Sequence, residues 1–160
     1  MATIIASKTV TVNAAFLQEI KDVNLELKRL FESVEHFCSR PISIHGSSKK
    51  FVELLNELRD QLALHFALEE AFGYFDDPEH VEPWISDRAD SIRGEHRYLY
   101  MAICELVEYA EYLYSQGNWA NLATKMPAKF NGFSQKFKQH EWREQELILQ
   151  AYTQDIGVGD

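Results

Sequence analysis

Glycine and proline are scarce in this chain, seven and four among 160 residues. That scarcity weighs against an architecture of many short turns and favours long helices. Cysteine is scarcer still. Cys38 and Cys104 have no CxxC spacing and make no disulfide framework, so two reduced thiols in a cytoplasmic protein are expected. No window holds the ~20 apolar residues that cross a bilayer. Met1 to Val12 lacks the basic stretch followed by an apolar run that marks a signal peptide. Basic residues are outnumbered, 16 against 25 acidic, for a formal net charge of −9. That balance argues against nucleic-acid and anionic-membrane partners and promotes solubility.

What is present is helical periodicity. The length suits one domain with a core. Residues 1–13, with alternating Thr, Ile and Val, are expected to form an extended N-terminal arm, and residues 14–155 a four-helix bundle. The first predicted helix runs from Ala14 to Cys38, with Asn13 as N-cap and an apolar stripe at Phe16, Ile20, Val23, Leu27, Leu30, Val34 and Phe37. Arg40 to Ser48, with Pro41, Gly46 and several serines, reads as a loop. The second helix spans Lys49 to Phe75, and the acidic stretch Asp76 to Pro83 follows as a loop. Ser86 is placed as the cap of the third helix, which Gly117 and Asn118 end. The fourth carries Phe130, Phe133, Phe137, Leu147 and Ala151. Pro127 suits its first turn, which leaves Trp119 to Met126 as a separate turn or a kink. The simplest packing is all-α, an up-down-up-down antiparallel bundle.

Five positions in these stripes carry the wrong chemistry for a core: His65, Glu69, His96, His140 and Glu144. Burying an unpaired carboxylate costs several kcal/mol, so such groups are paired or bound to metal. His65/Glu69 and His140/Glu144 are spaced i, i+4, which puts both members on one helix face.

In an antiparallel bundle, residues equidistant from a joining loop share a height. The midpoint of His65 and His96 falls in the Asp76–Pro83 loop, and that of His96 and His140 falls at the Gly117–Asn118 break. The three histidines therefore share a level, with Glu69 and Glu144 one turn away, about 6 Å along the axis at ~1.5 Å per residue. Reflecting His65 through the first loop selects Asn24 on the first helix. His36 lies about 18 Å from that level and is expected to be structural or at the surface. His45 and His80 fall in loops. Glu95 and Glu141 are expected to face away as solvated charges. Phe66, Phe72, Phe133, Phe137, Trp142, Tyr98 and Tyr100 cluster near the level, as core packing or as the walls of a dry pocket.

Imidazoles and carboxylates converging inside a helix bundle can hold iron, manganese or zinc, with no cysteine nearby to favour a thiolate site. A buried His–Glu hydrogen-bond network without metal is the alternative.

The order His65-x3-Glu69, Glu95-His96-Arg97, His140-x3-Glu144 resembles the hemerythrin-like, HHE cation-binding domains, over about residues 14–153. That resemblance implies a four-helix bundle with a non-haem di-iron centre. His65, His96 and His140 would be terminal ligands, Glu69 and Glu144 bridging carboxylates, and an open position on one iron would take dioxygen. The sequence departs from the family pattern twice. Asn24 stands where the first helix would supply a histidine, and Tyr100 where the third would supply its second. Either can serve as an additional ligand or support bound water.

The resulting expectation is an iron-binding protein holding two ions, with one ion, manganese or zinc as alternatives. Its small ligand would be dioxygen or nitric oxide, bound for sensing, storage or iron handling. This reading favours a binding protein over an enzyme. A degenerate bundle acting as an interaction module, and a bundle-type metal oxidase or peroxide scavenger, are the competing functions.

Overall fold

A computed structural model describes residues 14–74 and 81–157 of the chain. The expected N-terminal arm, the Asn13 cap and His80 lie outside the described residues. Five helices follow one another: α1 Ala14–Ser39, α2 Pro41–Gly46, α3 Ser48–Phe72, α4 Pro83–Ser115 and α5 Trp119–Gly157. The all-α class is as expected. Among the described residues no helix is long and apolar enough to cross a membrane.

The four long helices pack in a closed cycle. α1 lies against α3, α3 against α4, α4 against α5, and α5 against α1. The apolar stripes explain the cycle. Leu27, Leu30 and Val34 of α1 and Phe51, Leu55, Leu58 and Leu62 of α3 are buried. So are Leu99, Ile103, Leu106, Ala110 and Leu113 of α4, and Phe130, Phe133 and Phe137 of α5. Each large side chain so buried contributes about 1.5–3 kcal/mol relative to exposure.

The core has two parts. The larger cluster joins α1 to α5 and includes Phe66, Leu99 and Phe137. The smaller holds Tyr74, Val81, Ile85, Ala89, Ile92, Leu147 and Ala151. His96 falls between Ile92 and Leu99 on α4, and His140 and Glu144 fall between Phe137 and Leu147 on α5. The polar residues thus form a layer that divides the apolar core.

Several boundaries differ from the sequence reading. The segment expected as a loop after α1 contains the short helix α2. Pro41 opens it in the first turn, where a missing N–H costs nothing, and Ile44 is fully buried. α4 begins at Pro83 rather than at a Ser86 cap, because Glu82 O accepts bonds from the Ile85 and Ser86 N–H groups. α5 is a single helix with Pro127 inside it, not a separate turn followed by a new start. Leu122, Ala123 and Met126 before Pro127 and Phe130 after it are all buried. Their burial offsets the ~3 kcal/mol that an interior proline costs. Gly117 ends α4 at φ +66, where Asn118 N–H bonds Leu113 O at 2.9 Å.

Candidate metal centre

α3, α4 and α5 carry the polar layer inward. His65 and Glu69 stand one turn apart on the stripe that also buries Leu58 and Leu62, so the helical repeat points them into the core. His96 continues the Ala89–Ile92 stripe, and His140 and Glu144 continue that of Phe133 and Phe137. All five are buried, Glu69 and His140 completely. Glu69, His96, His140 and Glu144 each offer a ligand atom, and those atoms lie within 4.8 Å of one another. His65 joins through Glu69, with Nε2 2.6 Å from Oε1. The other Glu69 oxygen is 2.7 Å from His96 Nε2. Glu144 Oε1 is 2.6 Å from His140 Nε2 and 3.3 Å from His96 Nε2.

These short separations are mostly not hydrogen bonds. Both oxygens of Glu69, both ring nitrogens of His65, His96 Nδ1 and His140 Nε2 are shut off from solvent without a hydrogen-bond partner of acceptable direction. Each buried polar atom left in this way costs about 1–3 kcal/mol. A cation coordinated by the shared nitrogen and oxygen donors offsets several of these costs together. The donor set fits a first-row transition ion such as iron, manganese or zinc.

Two supports were not anticipated. Tyr74 is buried and donates its hydroxyl to Glu144 Oε1 at 2.9 Å. It follows Gly73, which closes α3 at φ +67 with its N–H on Glu69 O. No helical period marks a residue just past a helix end, so Tyr74 left no signal beyond its aromatic type beside a glycine. Glu95, expected to face solvent, instead lies 3.4 Å from His140 Nδ1 and is held by Arg143, whose Nε donates to Oε1 at 3.0 Å. With Nδ1 turned to Glu95, His140 presents Nε2 to the interior. Glu141 is also not a fully solvated charge. It is half-buried and lines a cavity of about 360 Å³ with Asn24, Phe31 and Phe137.

Electrostatics follow from the crowding. Burial opposes charge on His65, but the Glu69 carboxylate overcomes it and raises the imidazole above its ordinary value. Burial likewise opposes charge on His96, but Glu144 and Glu69 raise it to about 9. Burial alone would raise Glu144, yet His140 and His96 hold it well below the carboxylate range. Tyr74 is pushed up by burial and then by the Glu144 and Glu69 charges, so it stays a neutral donor. Burial raises Glu141.

Phe66 stacks on His96 at 4.4 Å and meets His140 edge-on at 6.0 Å, and Phe137 meets His65 edge-on at 6.2 Å. Phe66 and Phe137 wall the layer, and Phe133 stacks behind Phe137 at 6.3 Å. Trp142 and Tyr98, expected beside them, are 61% and 74% exposed on outer helix faces. Tyr100 is 40% exposed and shares a cavity of about 280 Å³ with His96 and Phe66. Asn24 is not in the four-residue group, though its Oδ1 is buried without a partner. His36 and His45 are exposed, away from the layer.

The model of the hemerythrin HHE cation-binding domain matches residues 15–152. The chain belongs to the hemerythrin HHE family. No curated protein and no solved structure matches it. In this hemerythrin HHE domain the buried His–Glu group is where a metal can be held.

Proposed function

We propose that this chain is an iron-binding hemerythrin-like protein holding a pair of ions between α3, α4 and α5, and that it takes up dioxygen or nitric oxide rather than turning over a substrate. The observation that carries the reading is the layer of unpartnered imidazole and carboxylate atoms buried between two apolar clusters. We read the architecture as one up-down-up-down antiparallel bundle over residues 14–155 and its location as cytoplasmic. His96 and His140 would hold one ion, His65 the other, and Glu69 and Glu144 would bridge them. Iron so bound supplies an open coordination position for a diatomic ligand.

The chain's own residues set the conditions there. Tyr74 fixes the direction of Glu144 by donating its hydroxyl to Oε1. Glu95 and Arg143 hold the His140 ring. Phe66 and Phe137 limit water, which keeps a bound ligand from exchanging protons freely.

The test is an optical spectrum of the freshly purified iron-loaded chain through cycles of oxygenation and deoxygenation. Bands that appear with oxygen and disappear without it, with no product formed, are expected. Steady consumption of oxygen or peroxide would instead indicate an oxidase or scavenger. A chain that takes up no metal would indicate an interaction module.

A further inference from the structure

The cavity of about 280 Å³ between α3 and α4 has a layer residue, His96, in its own lining. Ala63, Phe66 and Ala67 form its apolar side on α3, and Tyr100 borders it from α4. Glu70 and Arg97, both exposed, give it a charged outer edge. His96 and Phe66 are buried, so the cavity ends inward on these two rings. The larger cavity between α1 and α5 is different, since none of the five layer residues lines it. Phe66 stands between the α3–α4 cavity and the rest of the layer. Its ring stacks on His96 at 4.4 Å, lies 5.6 Å from His65 and meets His140 edge-on at 6.0 Å. A buried ring in a close-packed core turns only where space adjoins it. Phe66 has that space, because the neighbouring lining residues Ala63 and Ala67 are small. Phe137 also borders a cavity, but it is held in a stack, 4.9 Å from Phe31 and 6.3 Å from Phe133 with near-parallel planes.

We propose that the α3–α4 cavity is the entry by which a small uncharged molecule reaches the layer, and that the Phe66 ring is its gate. This rests on the ligand-binding reading above and deepens it, by naming the route and the residue that controls it. A diatomic molecule, about the size of one water (~30 Å³), fits the cavity with room left for the ring to move. The apolar surface of Ala63, Phe66 and Ala67 favours an uncharged molecule, because an ion would have to leave its water at Glu70 and Arg97. The molecule arrives on the His96 side of the layer. A gate sets how fast a ligand enters and leaves without changing how tightly it is held. Phe66 therefore governs both rates together and leaves the equilibrium alone.

The experiment has two parts. In the full metal-free chain, ring-flip rates of carbon-13-labelled phenylalanines are measured by nuclear magnetic resonance. Phe66 is expected to flip faster than Phe137, and Ala67→Leu, which fills the cavity from an exposed position, slows Phe66 alone. In the iron-loaded chain, nitric oxide binding is followed by stopped flow. Ala67→Leu lowers the association and dissociation rates together, about tenfold, with the dissociation constant unchanged. Gly132→Leu is the control. It fills a cavity between α4 and α5 that no layer residue lines, nothing lies within 4 Å of its added Cβ, and both rates stay at wild-type values. A Phe66 ring that flips no faster than Phe137, or rates that Ala67→Leu leaves unchanged or that Gly132→Leu lowers equally, overturns the gate. A loaded chain that binds no nitric oxide overturns the ligand-binding reading beneath it, and the ring flips of the metal-free chain still decide whether Phe66 moves. Circular dichroism establishes that each variant is folded, and if Ala67→Leu is not, Ala63→Leu takes its place.

Discussion

The Tyr74 hydroxyl donates to Glu144 Oε1 at 2.9 Å, joining the residue just beyond α3 to the middle of α5 across a sequence separation of 70 residues. It gives the carboxylate a fixed direction inside the layer. Tyr74→Phe keeps the apolar ring in its cluster with Ile85, Ile92 and Leu147 and removes only the hydroxyl. The metal-free fold is expected to lose about 1–3 kcal/mol, the worth of a buried bond to a charged acceptor. Metal affinity should fall about 10–100-fold, as for other outer supports of ligands. Thermal melts and a competition titration against a chelator measure the two effects separately.

Glu95 and Arg143 predict a contrast with a surface pair. Glu95→Gln leaves Arg143 without its counter-charge and weakens the hold on His140, so metal affinity should drop about 10–100-fold with helicity unchanged. Arg29→Ala breaks an exposed pair with Glu26 on α1. It should leave the thermal melt nearly unchanged, because water screens an exposed pair, and leave metal content untouched. Equal loss of metal in both variants would contradict a supporting role for Glu95.

Metal binding should strengthen as pH rises. The His96 imidazole, raised to about 9 by Glu144 and Glu69 against the opposing effect of burial, carries a proton at neutral pH in the metal-free chain. An ion must displace it. Apparent affinity is therefore expected to rise about tenfold per pH unit for each proton released, and to level off above about 9. The metal-free fold behaves oppositely. The stability that protonated His96 contributes is fully present below its unfolded value and is lost as pH rises through about 9. Glu144, held low, contributes stability above its unfolded value that is lost only under strong acid. Calorimetry in buffers of different ionisation enthalpy counts the protons released.

Removing metal should loosen the layer without dissolving the fold. Leu30, Phe51, Leu58, Ile103 and Phe130 bury their side chains in the larger cluster independently of the polar residues. Chelation is therefore expected to lower the melting temperature while keeping most helical circular dichroism. At free metal ~100 times the dissociation constant, the bound ion contributes about 2.7 kcal/mol. Phe51→Ala, by contrast, should cost about 3–5 kcal/mol with or without metal.

Much of this arrangement is written in periodicity. Steps of three and four placed Leu58, Leu62, His65 and Glu69 on one face of α3, and the structure buries all four. Loop midpoints put His65, His96 and His140 at one level because α3, α4 and α5 connect through short segments. The signals fail where periodicity stops. Pro41 looked like a loop residue, but proline at the first helical position and a buried Ile44 make a short helix. Pro127 looked like a helix start, but apolar burial on both sides carries α5 through it. Glu95 and Glu141 were misplaced because helix phase alone does not tell that a neighbouring helix covers the flank of a stripe. Trp142 and Tyr98 were misplaced for the converse reason, since an aromatic near a site in sequence can sit on the outer face.

The measurement that bears most directly on the metal centre is bound iron per chain in the wild type, His140→Ala and His36→Ala, each loaded under the same conditions. His140 is fully buried in the layer and His36 is exposed. The account predicts about two irons in the wild type and in His36→Ala, with most of the iron lost from His140→Ala. Equal iron in all three proteins, or less than about a tenth of an ion per wild-type chain, would contradict it.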